Sequence, residues 1–123
     1  MQIFTQPVPG SMAGLADRIS AELRRMHIFS HLRGYYYLIH ILMQVVPCPG
    51  RPFAVTKQLY PDAGRCFGVS PASVERAVRT SIAACWNRGG RDTLDQMAGA
   101  CLDKCPTSAQ FIGIVADYIR RTR

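Results

Sequence analysis

The sequence predicts an all-α fold, a bundle of about six helices that contains a helix-turn-helix. Apolar residues recur at three- and four-residue spacing in successive segments, as they do on the buried faces of helices. No segment shows the apolar–polar alternation of a half-buried strand, and short runs rich in proline and glycine separate the periodic segments. With 123 residues the chain is long enough for one hydrophobic core and too short for two.

The chain begins with a segment that lacks helical periodicity. Residues 1–13 carry two prolines and one glycine, and we interpret them as a flexible leader. The remaining residues, 14–123, are predicted to form a single helical domain. Its first helix is expected from Leu15 onward, and we expect the charged residues of this segment, including Glu22, to lie on its solvent side.

The second helix is predicted from about Leu32 or Gly34 to Val46. It is apolar on most sides, which suits the central helix of a small bundle. Residues 47–52 contain three prolines, and we interpret them as a rigid connector without secondary structure. A short helix is expected to resume over residues 53–59.

Residues 60–88 predict a helix-turn-helix. A short helix over about 62–67 is expected to end at Gly68, because glycine readily adopts the left-handed conformation that a helix end needs. Ser70 then offers its hydroxyl as an N-cap, and a proline follows at the first helical position, where the missing N–H costs nothing. The second and longer helix is predicted over about 71–86.

The second helix of this motif divides clearly by face. Its apolar residues recur at helical spacing and are expected to pack inward: Val74, Ala77, Val78, Ile82 and Cys85. The opposite side carries Ser73, Arg76 and Thr80, flanked by Glu75, Arg79 and Arg65.

Gly64 supplies the small residue needed where two helices cross over a short turn. A protruding polar helix with two arginines suits the DNA major groove, where arginine binds guanine O6 and N7; an ordinary helical hairpin whose arginines face water is the alternative.

The charge of the chain predicts attraction to polyanions. Fifteen Lys and Arg residues against eight Asp and Glu residues give a formal net charge of +7, which does not by itself choose between nucleic acid and an anionic membrane. The most apolar stretch, residues 35–46, is too short to cross a bilayer. The N-terminus lacks the pattern of a signal peptide, and we therefore expect a cytoplasmic protein.

The sequence indicates neither a metal site nor an active site. Five cysteines are an odd number, which does not suit a disulfide framework. Cys66 and Cys85 fall at apolar helix positions and are expected to be small core residues. Cys101 and Cys105 are four residues apart but lack two further ligands at a defined spacing. No carboxylate or nucleophile accompanies the histidines at the spacing of an acid–base site, so we expect no enzyme, no catalytic residue and no cofactor.

Several blocks of sequence together resemble one family. They are Leu32–Leu38, Thr56–Asp62, Ser73–Arg79, Ala84–Gly89 and Pro106–Asp117. Their order and spacing, from about residue 27 to residue 121, resemble the C-terminal DNA-binding effector domain of stage zero sporulation protein A, the sporulation response regulator of endospore-forming bacteria. The resemblance implies an all-helical domain that binds double-stranded DNA at short operator boxes, often in tandem, and activates or represses transcription. It also allows a homodimer on tandem boxes.

The resemblance also implies roles for individual residues. The family's recognition helix has a Val-Glu-Arg-Ala-hydrophobic-Arg core, as this chain does, so Glu75, Arg76 and Arg79 are implied to contact DNA, with Arg76 as the guanine reader. Lys57 and Arg88 match flanking basic positions that suit phosphate contacts. The complete set of candidate DNA-binding residues is Ser73, Glu75, Arg76, Arg79, Thr80, Lys57, Arg65 and Arg88.

Two departures from the family pattern leave an alternative open. Ser73 stands where the family often has arginine, and Thr80 where it often has histidine, which leaves the operator sequence undetermined. No phospho-receiver domain is recognised before residue 27, so we expect control by expression or by a partner. The alternative function is a protein-interaction module or antagonist that keeps the fold without specific DNA binding.

Overall fold

The computed structural model describes residues 12–50 and 53–122 of the chain. They form six α-helices and one π-helical turn: α1 (Met12–Arg25), α2 (Arg33–Val45), the π-helical turn (Val55–Leu59), α3 (Tyr60–Phe67), α4 (Pro71–Asn87), α5 (Arg91–Ala98) and α6 (Ser108–Arg121). No strand occurs within the described residues, so the predicted all-α, six-helix fold is confirmed. Of the predicted leader, residues 1–11 lie outside the described part, and its last two residues already belong to α1.

The turn between α3 and α4 has the predicted local chemistry. Gly68 ends α3 in the left-handed conformation, with φ of 70°, and the Val69 N–H donates to the Gly64 carbonyl at 2.9 Å. The Ser70 hydroxyl accepts from the Ser73 N–H at 3.1 Å and so caps α4. A Cβ on Gly64 would lie 2.6 Å from the Val69 carbonyl oxygen. Glycine at this position therefore lets the turn fold back onto α3.

The helix before the motif differs from its prediction. It begins at Val55 and runs into α3 without a break, whereas we expected separate helices over 53–59 and 62–67. Its backbone is π-helical, and the Leu59 N–H donates to the Ala54 carbonyl at 3.1 Å. Pro61 lies directly after this junction, where the π-helical turn passes into α3.

Helix α2 is central and packs against α1, α3, α4 and α6. Its closest approach is to α4, where a Cβ on Gly34 would lie 2.0 Å from Ser81 Oγ and 2.4 Å from the Ala77 carbonyl oxygen. Ser81 is fully buried, and its hydroxyl donates to that same carbonyl at 3.0 Å. The two backbones therefore meet directly, and the position of α2 on α4 is fixed at this point.

Two expectations about burial were wrong. Glu22 is only 6% exposed; it forms ion pairs with Arg18 at 2.8 Å and with Arg25 at 2.5 Å, and such pairing offsets the loss of water around a buried carboxylate. Cys66 is exposed, because α3 is only two turns long and buries its opposite side. Cys85 is fully buried, as predicted.

Candidate nucleic-acid interface

The exposed side of α4 carries the five residues predicted there. At the ~100° per residue of an α-helix, they span an arc of about 160°, with Arg76 near its middle. Arg76, Arg79 and Thr80 are exposed, and Ser73 and Glu75 are half-buried. The inward residues predicted for α4 are buried, apart from Ala77, which is half-buried against the core. Helix α4 therefore presents these five polar side chains on one side, which also includes the exposed Ala72, with Arg76 at the crest of the helix.

A groove of about 300 Å³ runs along one edge of this surface. From α4, Ser73, Arg76 and Thr80 line it; from the start of α2 and the loop before it, His31 and Arg33 line it. The Ser70 hydroxyl donates to the Ser73 hydroxyl at 3.0 Å. Three of the predicted residues are thus brought together with two that the sequence did not single out.

The other edge of the surface lies against Tyr60 of α3. Burial raises the pKa of the Tyr60 hydroxyl, a hydrogen bond with Ser108 acts in the opposite direction, and the nearby Glu75 carboxylate raises the pKa further, while Arg79 lowers it. Glu75 and Arg79 therefore lie on the α3 side of the crest, whereas the groove lies on the α2 side.

Seven arginines of the described residues have partners within the protein. Arg120 donates to the carbonyls of Val45 and Val46 at 2.7 and 2.9 Å, at the end of α2. Arg121 donates to the Met97 carbonyl at 2.8 Å, near the end of α5. These two side chains donate to carbonyls that helix ends leave without a backbone donor. All seven are Arg18, Arg24, Arg25, Arg65, Arg91, Arg120 and Arg121.

The remaining cations of the described chain form no hydrogen bond, ion pair or ring contact with another described residue. They are Arg33, Lys57, Arg76, Arg79, Arg88 and Lys104. Four of these six are candidate DNA-binding residues. Because a guanidinium or ammonium group keeps its donors in water when the protein does not use them, these side chains are available to an external anion.

Lys57 and Arg65 lie at a second depression, of about 560 Å³, between the end of α2 and α3. Arg65 pairs with Asp62 at 3.0 Å. Hydrogen bonding from Gln44, with smaller contributions from His40 and Arg65, lowers the pKa of Asp62. Arg65 therefore has its charge balanced by a carboxylate, and Lys57 does not.

His31 and Arg33 are the candidate interface residues that sequence reasoning missed. Arg33 stands directly before Gly34 in one of the sequence blocks. The available signal was a basic residue beside a glycine that makes a close helix contact. The sequence alone did not identify α4 as the helix on the other side of that contact.

No group of three or more metal-ligating residues occurs among the described residues. The part of the chain that the structure describes also contains no helix long and apolar enough to span a membrane.

One comparison with known families matches most of the chain. The family model described as "Sporulation initiation factor Spo0A C terminal" matches residues 19–119. This range contains α2 to α5, the second half of α1, most of α6 and every candidate residue of the interface.

Proposed function

The chain belongs to the family of sporulation initiation factor Spo0A C-terminal domains, which are all-helical DNA-binding domains, and we propose that it is a sequence-specific regulator of transcription that places α4 in the major groove of double-stranded DNA. The observation that carries this proposal is the exposed surface of α4. Its two arginines, Arg76 and Arg79, form no hydrogen bond or ion pair with other described residues. An α-helix with its side chains is about 10–12 Å wide, and the major groove is about 12 Å wide.

The position of each side chain on α4 suits a distinct contact. Arg76, at the crest, is placed to donate to O6 and N7 of one guanine. Glu75 can accept from the N4 amino group of cytosine, and the shorter Ser73 and Thr80 hydroxyls can serve either base edges or phosphates. Arg79, on the α3 side of the crest, has the reach for a second base or a neighbouring phosphate.

Lys57 and Arg88 are proposed to contact the phosphate backbone. Both are exposed. Lys57 lies before the helix-turn-helix, and Arg88 lies at its end. Contacts of this kind position a protein on DNA without specifying sequence. Arg65 remains a candidate, although its pairing with Asp62 at 3.0 Å must loosen before it can bind a phosphate.

The family and the net charge also support proposals about location, oligomeric state and activity. We propose that the protein acts in the cytoplasm, binds as a homodimer where operator boxes occur in tandem, and catalyses no reaction. A DNA-binding module needs no cofactor for this role, and none is proposed.

The test is whether the protein selects a sequence. A random duplex library is enriched on the wild-type protein, and binding of the selected duplex is compared with that of a shuffled duplex by fluorescence anisotropy at 50 and 200 mM salt. We expect the selected duplex to bind at least 10³-fold more tightly than the shuffled one. Equal and steeply salt-dependent binding to both would show only a basic surface.

The second candidate function is a protein-interaction module with the same fold. Neutral Ser73 and Thr80 on the exposed side of α4 favour it, because they offer fewer donors to DNA than arginine and histidine would. Absence of any duplex binding at 50 mM salt, by protein of normal thermal stability, would favour this candidate over the proposed function.

A further inference from the structure

The groove beside α4 combines positive charge with hydroxyl groups. It has a volume of about 300 Å³ and contains Arg33 from α2 and Arg76 from α4, which have no hydrogen-bond or ion-pair partner among the described residues. Its polar lining also includes His31, Ser73, Thr80 and the buried Ser81, whose hydroxyl donates to the Ala77 carbonyl. No carboxylate is among the described residues that line it. An anion entering this groove therefore meets hydrogen-bond donors without a competing negative charge.

Two other depressions of the described chain differ in chemistry. The larger one, of about 560 Å³, contains Asp62, which already binds Arg65. A third, of about 310 Å³ beside α6, is lined mainly by apolar groups such as Leu102 and Ile114 and carries one acid and one base. Of these three depressions, the groove beside α4 has cations without a partner among the described residues on two different helices.

The two arginines of the groove are held in a fixed relation by the packing of α2 on α4. Gly34 follows Arg33 directly, and it lies where the α2 backbone contacts Ala77 and Ser81 of α4. Arg76 directly precedes Ala77. Each arginine is thus attached next to the closest contact between the two helices, so little backbone ordering is needed when Arg33 meets a phosphate and Arg76 a base.

We propose that this groove binds a phosphodiester of the DNA backbone, with Arg33 as its principal ligand and His31, Ser73 and Thr80 as further hydrogen-bonding groups. This inference rests on the proposed function. A helix in the major groove lies between two phosphate backbones, and groups beside its crest therefore meet phosphates while the crest meets bases. Arg33 lies on the α2 side of the crest, where a phosphate contact adds affinity without reading the sequence.

The experiment compares Arg33→Ala with the wild-type protein on the selected and the shuffled duplex over 50–200 mM salt. We expect about tenfold weaker binding to both duplexes at low salt. The slope of log affinity against log salt should decrease in magnitude by about 1, which corresponds to one lost phosphate contact. The preference for the selected duplex should stay unchanged. Arg33→Lys, which keeps the charge, should restore most of the slope.

The control is Lys104→Ala, which removes one unpartnered cation from the loop before α6, away from the groove. It should leave affinity and salt slope close to those of the wild-type protein. Arg33 is exposed and has no partner among the described residues, so thermal unfolding of Arg33→Ala should match that of the wild type and show that the fold is intact.

Different outcomes overturn different statements. If the wild type selects a sequence but Arg33→Ala keeps its affinity and salt slope, the phosphate site is refuted and the proposed function stands. If the wild type binds no duplex, the proposed function fails and the inference fails with it.

Titration with inorganic phosphate at constant ionic strength, followed by amide NMR, distinguishes free phosphate from a DNA phosphodiester as the ligand of the groove. Saturable shifts at Arg33 and Ser73 without any effect of Arg33→Ala on DNA binding would assign the groove to free phosphate and overturn the proposal.

Discussion

Replacing Gly34 by alanine tests the contact that positions α2 on α4. The added Cβ would lie 2.0 Å from Ser81 Oγ and 2.4 Å from the Ala77 carbonyl oxygen. The serine hydroxyl can rotate away, but the carbonyl belongs to the backbone of α4. The two helices must therefore separate locally by about 1 Å to reach an ordinary van der Waals distance.

Two opposing effects of the added methyl group determine the change in the free energy of unfolding. Overpacking of this kind costs about 1–3 kcal/mol, and here the obstacle is backbone, which favours the upper end. Alanine is intrinsically favoured over glycine in a helix by up to about 1 kcal/mol. We expect Gly34→Ala to lower the free energy of unfolding by about 2 kcal/mol, which corresponds to a Tm lower by about 8 °C.

The matched control is Gly113→Ala in α6. A Cβ there would have no atom within 4 Å, so the substitution should raise the free energy of unfolding by about 0.5–1 kcal/mol. Urea unfolding followed by circular dichroism measures both variants against the wild type. A Gly34→Ala protein as stable as the wild type, or stabilised like Gly113→Ala, would refute the close contact between α2 and α4.

Two further predictions concern the turn of the motif and a buried thiol. Ser70→Ala should lower the free energy of unfolding by about 1 kcal/mol, because the Ser73 N–H loses its acceptor; urea unfolding measures it, and an unchanged midpoint would contradict the cap. Burial raises the pKa of Cys85 to about 12, so its thiol should react with a thiol reagent at pH 8 only after unfolding, whereas exposed Cys66 reacts at once. The free energy of unfolding should also fall as the pH rises from about 9 towards 12, because the unfolded thiol ionises and the folded one does not. Cys85→Ala should weaken that dependence, and an equal fall in the variant would contradict the assignment.

The helix-turn-helix could be predicted because its signals are local. Gly68, Ser70 and Pro71 determine where one helix ends and the next begins through backbone conformation and hydrogen bonds within a few residues. The inward and outward sides of α4 follow in the same way from a regular helical period. Neither inference required knowledge of how the helices pack together.

What the sequence did not reveal depends on contacts between distant segments. Glu22 pairs with two arginines of its own helix, and these also donate to Thr122 and Gln96, which lie far along the chain, so its charge alone was misleading. The structural role of Arg120 depends on its hydrogen bonds to the carbonyls at the end of α2, 74 and 75 positions away in the chain. Arg33 joined the candidate interface only when α2 was placed against α4.

The most direct test of the central claim is a thermodynamic cycle between Arg76→Ala and a modified guanine in the selected duplex. Each guanine is replaced in turn by 7-deazaguanine, which lacks the N7 acceptor, and affinities are measured for the wild type and the variant. The account predicts one guanine at which the modification weakens wild-type binding by about 5- to 100-fold but has no further effect on Arg76→Ala, since a bidentate arginine–guanine contact provides about 1–3 kcal/mol of discrimination. Independent, additive losses at every guanine would contradict the assignment of Arg76 as the residue through which α4 reads DNA.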